Sequence, residues 1–211
     1  LSVKRTLSAA GVALGLLLAG CSQSLNSEGP VVIHDNAEYQ EASLEAEQLS
    51  KDALPKKDAD QDLTETDRSN LRKALRLYEG MSAYLTTNPL PSFTAGQIYQ
   101  VLGDQQTALT RFQQYLDATA KGDSDAAKVT RADAHYLRSV SFFKLKDYKS
   151  AIDEVDVALA AFPGTPGYLI QRASTYTQLG KKKEALDDLS DALSADPQNR
   201  RAQGLYKFLS K

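Results

Sequence analysis

Apolar residues recur three and four positions apart through most of this chain, with polar residues between them. Ala151, Val155 and Ala158 form one such stripe, and Ala185, Leu189 and Ala192 repeat it. This spacing puts every apolar side chain of a segment on one face of an α-helix. A looser stripe, Tyr39, Ala42, Ala46, Leu49 and Ala53, predicts a helix over roughly 36–54. Ala202, Leu205, Phe208 and Leu209 predict a last amphipathic helix after Asn199. Gly103 and Gly180 stand where helices must end, since glycine tolerates the left-handed conformation of a C-terminal stop. Pro163 and Pro197 close further helices, because proline cannot continue the hydrogen-bond ladder.

The stripes are copies of one unit. In "QVLGDQQTAL", "FKLKDYKSAI" and "TQLGKKKEAL" a leucine (Leu102, Leu145, Leu179) stands six residues before an alanine (Ala108, Ala151, Ala185). Three residues before each leucine is an aromatic (Tyr99, Phe142, Tyr176), and three before that a small residue (Gly96, Ser139, Ala173). Ala151 and Ala185 are 34 apart, as are Pro163 and Pro197, and Ala74 is 34 before Ala108. The gap from Ala108 to Ala151 is 43, a repeat plus nine residues. A fixed period of this length marks a stacked array.

This succession of small, aromatic, alanine, large apolar and proline positions resembles the tetratricopeptide repeat. The resemblance implies an all-α, right-handed helical solenoid of helix–turn–helix units. Units fall over 89–199, with the insertion near 120–130, and a helix at 200–211 caps the stack. Residues 37–88 hold N-terminal helices with a partial repeat around Ala74. Departures are visible: Ser92, His135 and Leu169 stand where the family has tryptophan, and Ala120 replaces the first proline. The polar stretch 121–125 is expected to be a loop carrying the insertion.

The start of the chain has another grammar. Lys4 and Arg5 precede an apolar run from Ala9 to Ala19, too short for a spanning helix of ~20 residues. A charged start, a short apolar middle and a small-residue end predict a signal peptide over 1–20. Leu18-Ala19-Gly20-Cys21 resembles the lipobox of bacterial lipoproteins. That resemblance implies lipidation of Cys21 with acyl chains of the palmitate kind and a flexible tether over 21–36. It also implies a lipid-anchored location in the bacterial cell envelope. Ser22 rather than aspartate follows the cysteine, which implies the outer membrane, facing the periplasm, in a host with two membranes. Stable anchoring needs more than one acyl chain, which a triacylated cysteine supplies.

Charge narrows the partners. The chain has 25 basic and 27 acidic residues, and losing 1–20 leaves 23 against 27, a net charge of −4. That is not the footprint of a nucleic-acid binder. Cys21 is the only cysteine, so no internal disulfide forms. Neither nucleophile–histidine grammar nor zinc spacing nor a phosphate-binding glycine loop is present. Asp58, Asp60 and Asp62 imitate a calcium loop, but Leu63 and Ser69 stand where glycine and glutamate are required. Asp187, Asp188 and Asp191 have no basic partners in sequence and read as a solvated face. Lys181, Lys182 and Lys183 fall in a turn, as solubilising charges or an anion contact. His135 is expected to pack. No cofactor or metal is expected, and no enzymatic activity.

Stacked hairpins make a concave surface. The resemblance implies partner binding there by first-helix residues. On this register they are Phe93, Gln97 and Gln100; Asp133, Tyr136, Val140 and Lys144; and Ile170, Ser174, Thr177 and Gln178. Each could instead pack against a neighbouring helix. The mixture suits an extended or helical peptide. The paired lysines and asparagines with which some relatives hold a terminal carboxylate are absent from the matching positions. The expected function is a membrane-anchored adaptor or scaffold for envelope proteins or peptides. The alternative is a small-molecule binder or enzyme using carboxylates scattered over the repeats.

Overall fold

The computed structural model describes residues 29–54, 62–122 and 124–211. The expected signal peptide, Cys21 and the first part of the tether lie outside the described residues, as do Asp58 and Asp60. Nine helices occur among the described residues, and no strand. They are α1 (Asn36–Ser50), α2 (Glu65–Tyr84), α3 (Leu90–Leu102), α4 (Gln105–Thr119), α5 (Asp125–Lys144), α6 (Tyr148–Ala161), α7 (Pro166–Gln178), α8 (Lys182–Ala195) and α9 (Arg200–Leu209). α1 pairs with α2, α3 with α4, α5 with α6 and α7 with α8; each pair stacks on the next, and α9 covers α8. The result is the expected all-helical solenoid. None of the helices described is long and apolar enough to cross a membrane.

Local sequence explains the helix starts. Asp35, Asp104, Ser124, Asp147 and Asn199 each accept a hydrogen bond from a backbone N–H in the first turn of the helix they precede. Thr64 and Asp67 cap α2 reciprocally, each side chain accepting from the other's backbone N–H. These bonds satisfy amides that have no partner inside the helix. Inside each repeat the chain reverses through one left-handed residue. Gly103 (φ 99°) and Gly180 (φ 72°) do this without strain, but the middle unit uses Lys146 at φ 64°.

Small residues decide how closely helices approach. Ala74, Ala108, Ala151 and Ala185 are fully buried, as are Ser139 and Ala173. At Gly96 of α3 even a methyl group would not fit: a Cβ there would lie 2.7 Å from Cε1 of the buried Phe112 ring on α4. The first stripe buries Tyr39, Ala42, Ala46 and Ala53 against α2 and α3.

Two expectations are corrected. The nine extra residues before Ala151 are not a loop. The α4–α5 connection stays short, and α5 has 20 residues where α3 and α7 have 13. The Ser124 cap starts α5 early, so most of the insertion is helix. The tether expected over 21–36 is docked from Gly29 onward. Val31 N donates to Arg76 O at 3.1 Å, Arg76 Nε donates to Gly29 O at 2.9 Å, and Ile33 is buried. Gly80 permits this crossing, because a Cβ there would lie 2.1 Å from Val31 O.

Arginines tie the helices within units and between them. Arg172 of α7 donates Nε and Nη2 to Asp188 of α8 at 2.9 and 2.7 Å, and Nη1 to Asp156 of α6 at 2.6 Å. Arg138 of α5, 34 residues earlier, pairs with Glu154 of α6 at 2.8 Å and also bonds Gln113 of α4. One joint earlier the arginine comes from the second helix of its unit but reaches back in the same way: Arg111 of α4 pairs with Glu79 of α2. Beside that pair, burial and then the Glu79 charge push the Tyr99 phenol up to about 12. Asp188 is therefore not part of a solvated face. It is buried, and the sequence hid its partner because Arg172 lies on another helix.

Candidate functional site

The first helices of the three units, α3, α5 and α7, lie side by side and form one face with the start of α9. That face holds a groove of about 1070 Å³. Seven expected residues line it: Phe93, Gln97 and Gln100 from α3, and Asp133, Tyr136, Val140 and Lys144 from α5. Helical spacing explains the second set, since positions three and four apart share a face.

The floor is aromatic and aliphatic. The Tyr136 ring sits 5.1 Å, centroid to centroid, from Tyr168 of α7, tilted by 31°. Phe93 lies 5.0 Å from Tyr115 and 5.9 Å from Phe112, so it belongs both to the groove and to the core. Tyr168 donates its hydroxyl to Asp133 Oδ1 at 2.6 Å. Burial, and next this bond to a carboxylate, raise the Tyr168 phenol well above the ordinary tyrosine range.

Five expected residues have other roles. Gln100 is buried and donates Nε2 both to Leu137 O and to Ser141 Oγ at 2.7 Å. Its amide joins α3 to α5 rather than facing a ligand. Ile170 is 3% exposed and packs in the core of α5–α9. Ser174 and Thr177 donate their hydroxyls to Ile170 O and Ala173 O at 2.7 Å, and Gln178 is exposed at the end of α7. None of these four lines the groove. On α7 the lining residue is Gln171, one position further along than Ile170.

Sequence reasoning also missed Arg200 and Arg201, which enter the groove from the first turn of α9. A signal existed. Cations at a helix N-terminus oppose the helix dipole, so two adjacent arginines directly after the Asn199 cap are a local misfit. His135 does not line this groove. Its Nδ1 lies 2.8 Å from Glu154 Oε2, and its ring borders a smaller cavity of about 340 Å³ with Val129, Val157 and Phe162.

Known proteins resemble this chain in sequence and in fold. The tetratricopeptide repeat family matches residues 166–199, the unit α7–α8. Rat (Rattus norvegicus) sperm-associated antigen 1 is 32% identical over 97 residues, 46% of this chain and 10% of that protein. The chain thus spans about a tenth of the length of that relative. Among solved structures, the Cut9–Hcn1 hetero-tetramer of APC/C superposes on 68% of this chain and 27% of its own, with a TM-score of 0.63 and 23% identity. The first TPR of Spaghetti (RPAP3) bound to an HSP90 peptide covers 58% of this chain and 90% of its own, with a TM-score of 0.51 and 21% identity. The fold is therefore that of a tetratricopeptide-repeat solenoid, and its last full unit, 166–199, carries the repeat's own sequence pattern.

Proposed function

We propose that this protein is a lipid-anchored adaptor of the bacterial cell envelope that binds a segment of another protein in the groove of α3, α5 and α7. The observation that carries the reading is the groove's floor. Tyr136, Val140 and Phe93 present rigid apolar surface in a concavity bordered by amides, and such surface is what an extended peptide buries. A solved TPR structure of similar fold holds a peptide, which supports a protein ligand for this chain. The role is binding rather than catalysis. The anchor rests on Leu18-Ala19-Gly20-Cys21, with Cys21 as the lipid-bearing residue.

The test is photo-crosslinking in intact cells from a reactive residue placed at Gln97, followed by identification of the captured protein. Tyr136→Ala should lower affinity for that partner by about 2 kcal/mol, the loss typical of an aromatic anchor. Asp187→Ala, on exposed α8 surface, should leave affinity unchanged. Equal binding by wild type and Tyr136→Ala would remove the groove from the mechanism. For the anchor, intact mass and detergent partitioning of wild type and Cys21→Ser are compared. A wild-type chain that stays aqueous and carries no lipid would sink it.

A further inference from the structure

We propose that the groove takes an acidic extended peptide segment, its carboxylates meeting Arg200 and Arg201 while an apolar side chain rests on Tyr136 and Val140. This rests on the groove being the binding face, and adds the chemistry of the partner. Three cations, Lys144, Arg200 and Arg201, line the groove against one carboxylate, Asp133, which already accepts the Tyr168 hydroxyl. The protein as a whole is acidic, with a net charge of −2, so composition alone does not produce this local excess.

Helix stability does not explain the two arginines either. They occupy the first turn of α9, which has no acidic residue, and there the helix dipole disfavours positive charge. Both are exposed, and no carboxylate of the described residues forms an ion pair with either. The dipole and the two guanidinium groups add, so the positive potential is focused on the groove. A local rule broken without structural compensation marks a functional position.

Gln171 supplies a second kind of observation. It lines the same groove and is 2% exposed, yet its Nε2 has no hydrogen-bond partner. A buried donor left unpaired is costly, and a small rotation of the amide offers it to a carbonyl or carboxylate of the ligand. The floor favours a peptide over a nucleic-acid backbone: apolar side chains separate the few cations, which do not form a phosphate-tracking stripe.

The experiment is selection of a random-peptide library on the full chain, in parallel with Arg200→Glu/Arg201→Glu, Lys207→Glu and Tyr136→Ala. Wild type and Lys207→Glu, which lies on α9 outside the groove lining, should enrich peptides rich in aspartate and glutamate around an apolar residue. The best acidic clone should bind the double reversal about tenfold or more weakly, and added salt should narrow that gap. The reversal should also raise thermal stability, because carboxylates suit a helix start, so its lost binding is not unfolding. Enriched peptides that are neutral or basic, or an acidic clone indifferent to the reversal, would overturn the acidic partner and leave the groove reading standing. Binding by Tyr136→Ala equal to wild type would overturn the groove reading itself. A library yielding no binder overturns both, and a single-stranded RNA competing as well as the acidic clone replaces the peptide with nucleic acid.

Discussion

Tyr168 on α7 and Asp133 on α5 are joined at 2.6 Å across the edge of the groove, the hydroxyl donating to Oδ1. One bond thus ties two repeats and occupies the one carboxylate that lines the groove among the described residues. Tyr168→Phe should cost about 1.5–3 kcal/mol of stability, the usual worth of a hydrogen bond to a charged group. Chemical denaturation of Tyr168→Phe, Asp133→Asn and the double variant gives the coupling. Strictly additive losses would show that the bond contributes nothing.

The Arg172–Asp188 pair makes the second case. Asp188→Ala should destabilise by about 2–3 kcal/mol, because Arg172 then keeps only the more exposed Asp156 in a partly desolvated place. Asp187→Ala should stay within about 0.5 kcal/mol, as exposed substitutions do. Equal, small losses at both positions would mean that the guanidinium is solvated despite its geometry.

Two glycines in helices should respond with opposite sign. Gly96→Ala forces a methyl against the Phe112 ring and should cost about 1–3 kcal/mol. Gly204→Ala in α9 meets nothing within 4 Å and should gain about 0.5–1 kcal/mol from helix propensity. Thermal melts of both variants measure the pair, and a stable Gly96→Ala would contradict the α3–α4 approach.

Lys146 is the one non-glycine residue at positive φ among the described residues, in the turn where the other units have Gly103 and Gly180. Lys146→Gly should therefore stabilise by about 0.5–1 kcal/mol even though glycine loosens the unfolded chain. A destabilised variant would show that the lysine side chain offsets its own strain.

Alkaline pH should act through Tyr99. Its phenol titrates near 12 in the folded protein and near 10 when unfolded. Between those values the unfolded chain has lost the proton and the folded chain has kept it, so stability is complete below 10 and falls as pH rises through 12. Denaturation midpoints across that window should fall less steeply in Tyr99→Phe. An unchanged slope would assign the loss to the other buried tyrosines.

The helices and the closely packed positions were legible because they depend on local pattern. The 34-residue spacing of Ala74, Ala108, Ala151 and Ala185 leads directly to the buried crossings. The groove was legible on α3 and α5 and failed on α7, where the lining begins at Gln171 while Ile170 faces the core. Periodicity marks a helical face to within about one position, which is the difference between lining and core. Arg200 and Arg201 were missed because the last helix was read only as a cap. The partners of Asp188 and Glu154 were invisible, since they come from helices a turn or more away in sequence. The polar stretch before α5 suggested a loop, but the Ser124 cap and the alanines after it build helix instead.

The joints between units also bear on how such a chain can grow. At each boundary one arginine reaches back to an acceptor on the preceding unit: Arg111 to Glu79, Arg138 to Gln113, Arg172 to Asp156. Those three acceptors are equivalent positions of successive copies, whichever helix supplies the arginine. Duplicating or deleting the second or third unit therefore leaves each of these joints with both halves, so the array can change length there without stranding a charge. The next equivalent positions, Ser190 and Tyr206, carry neither half, so the stacking of α9 does not repeat this joint.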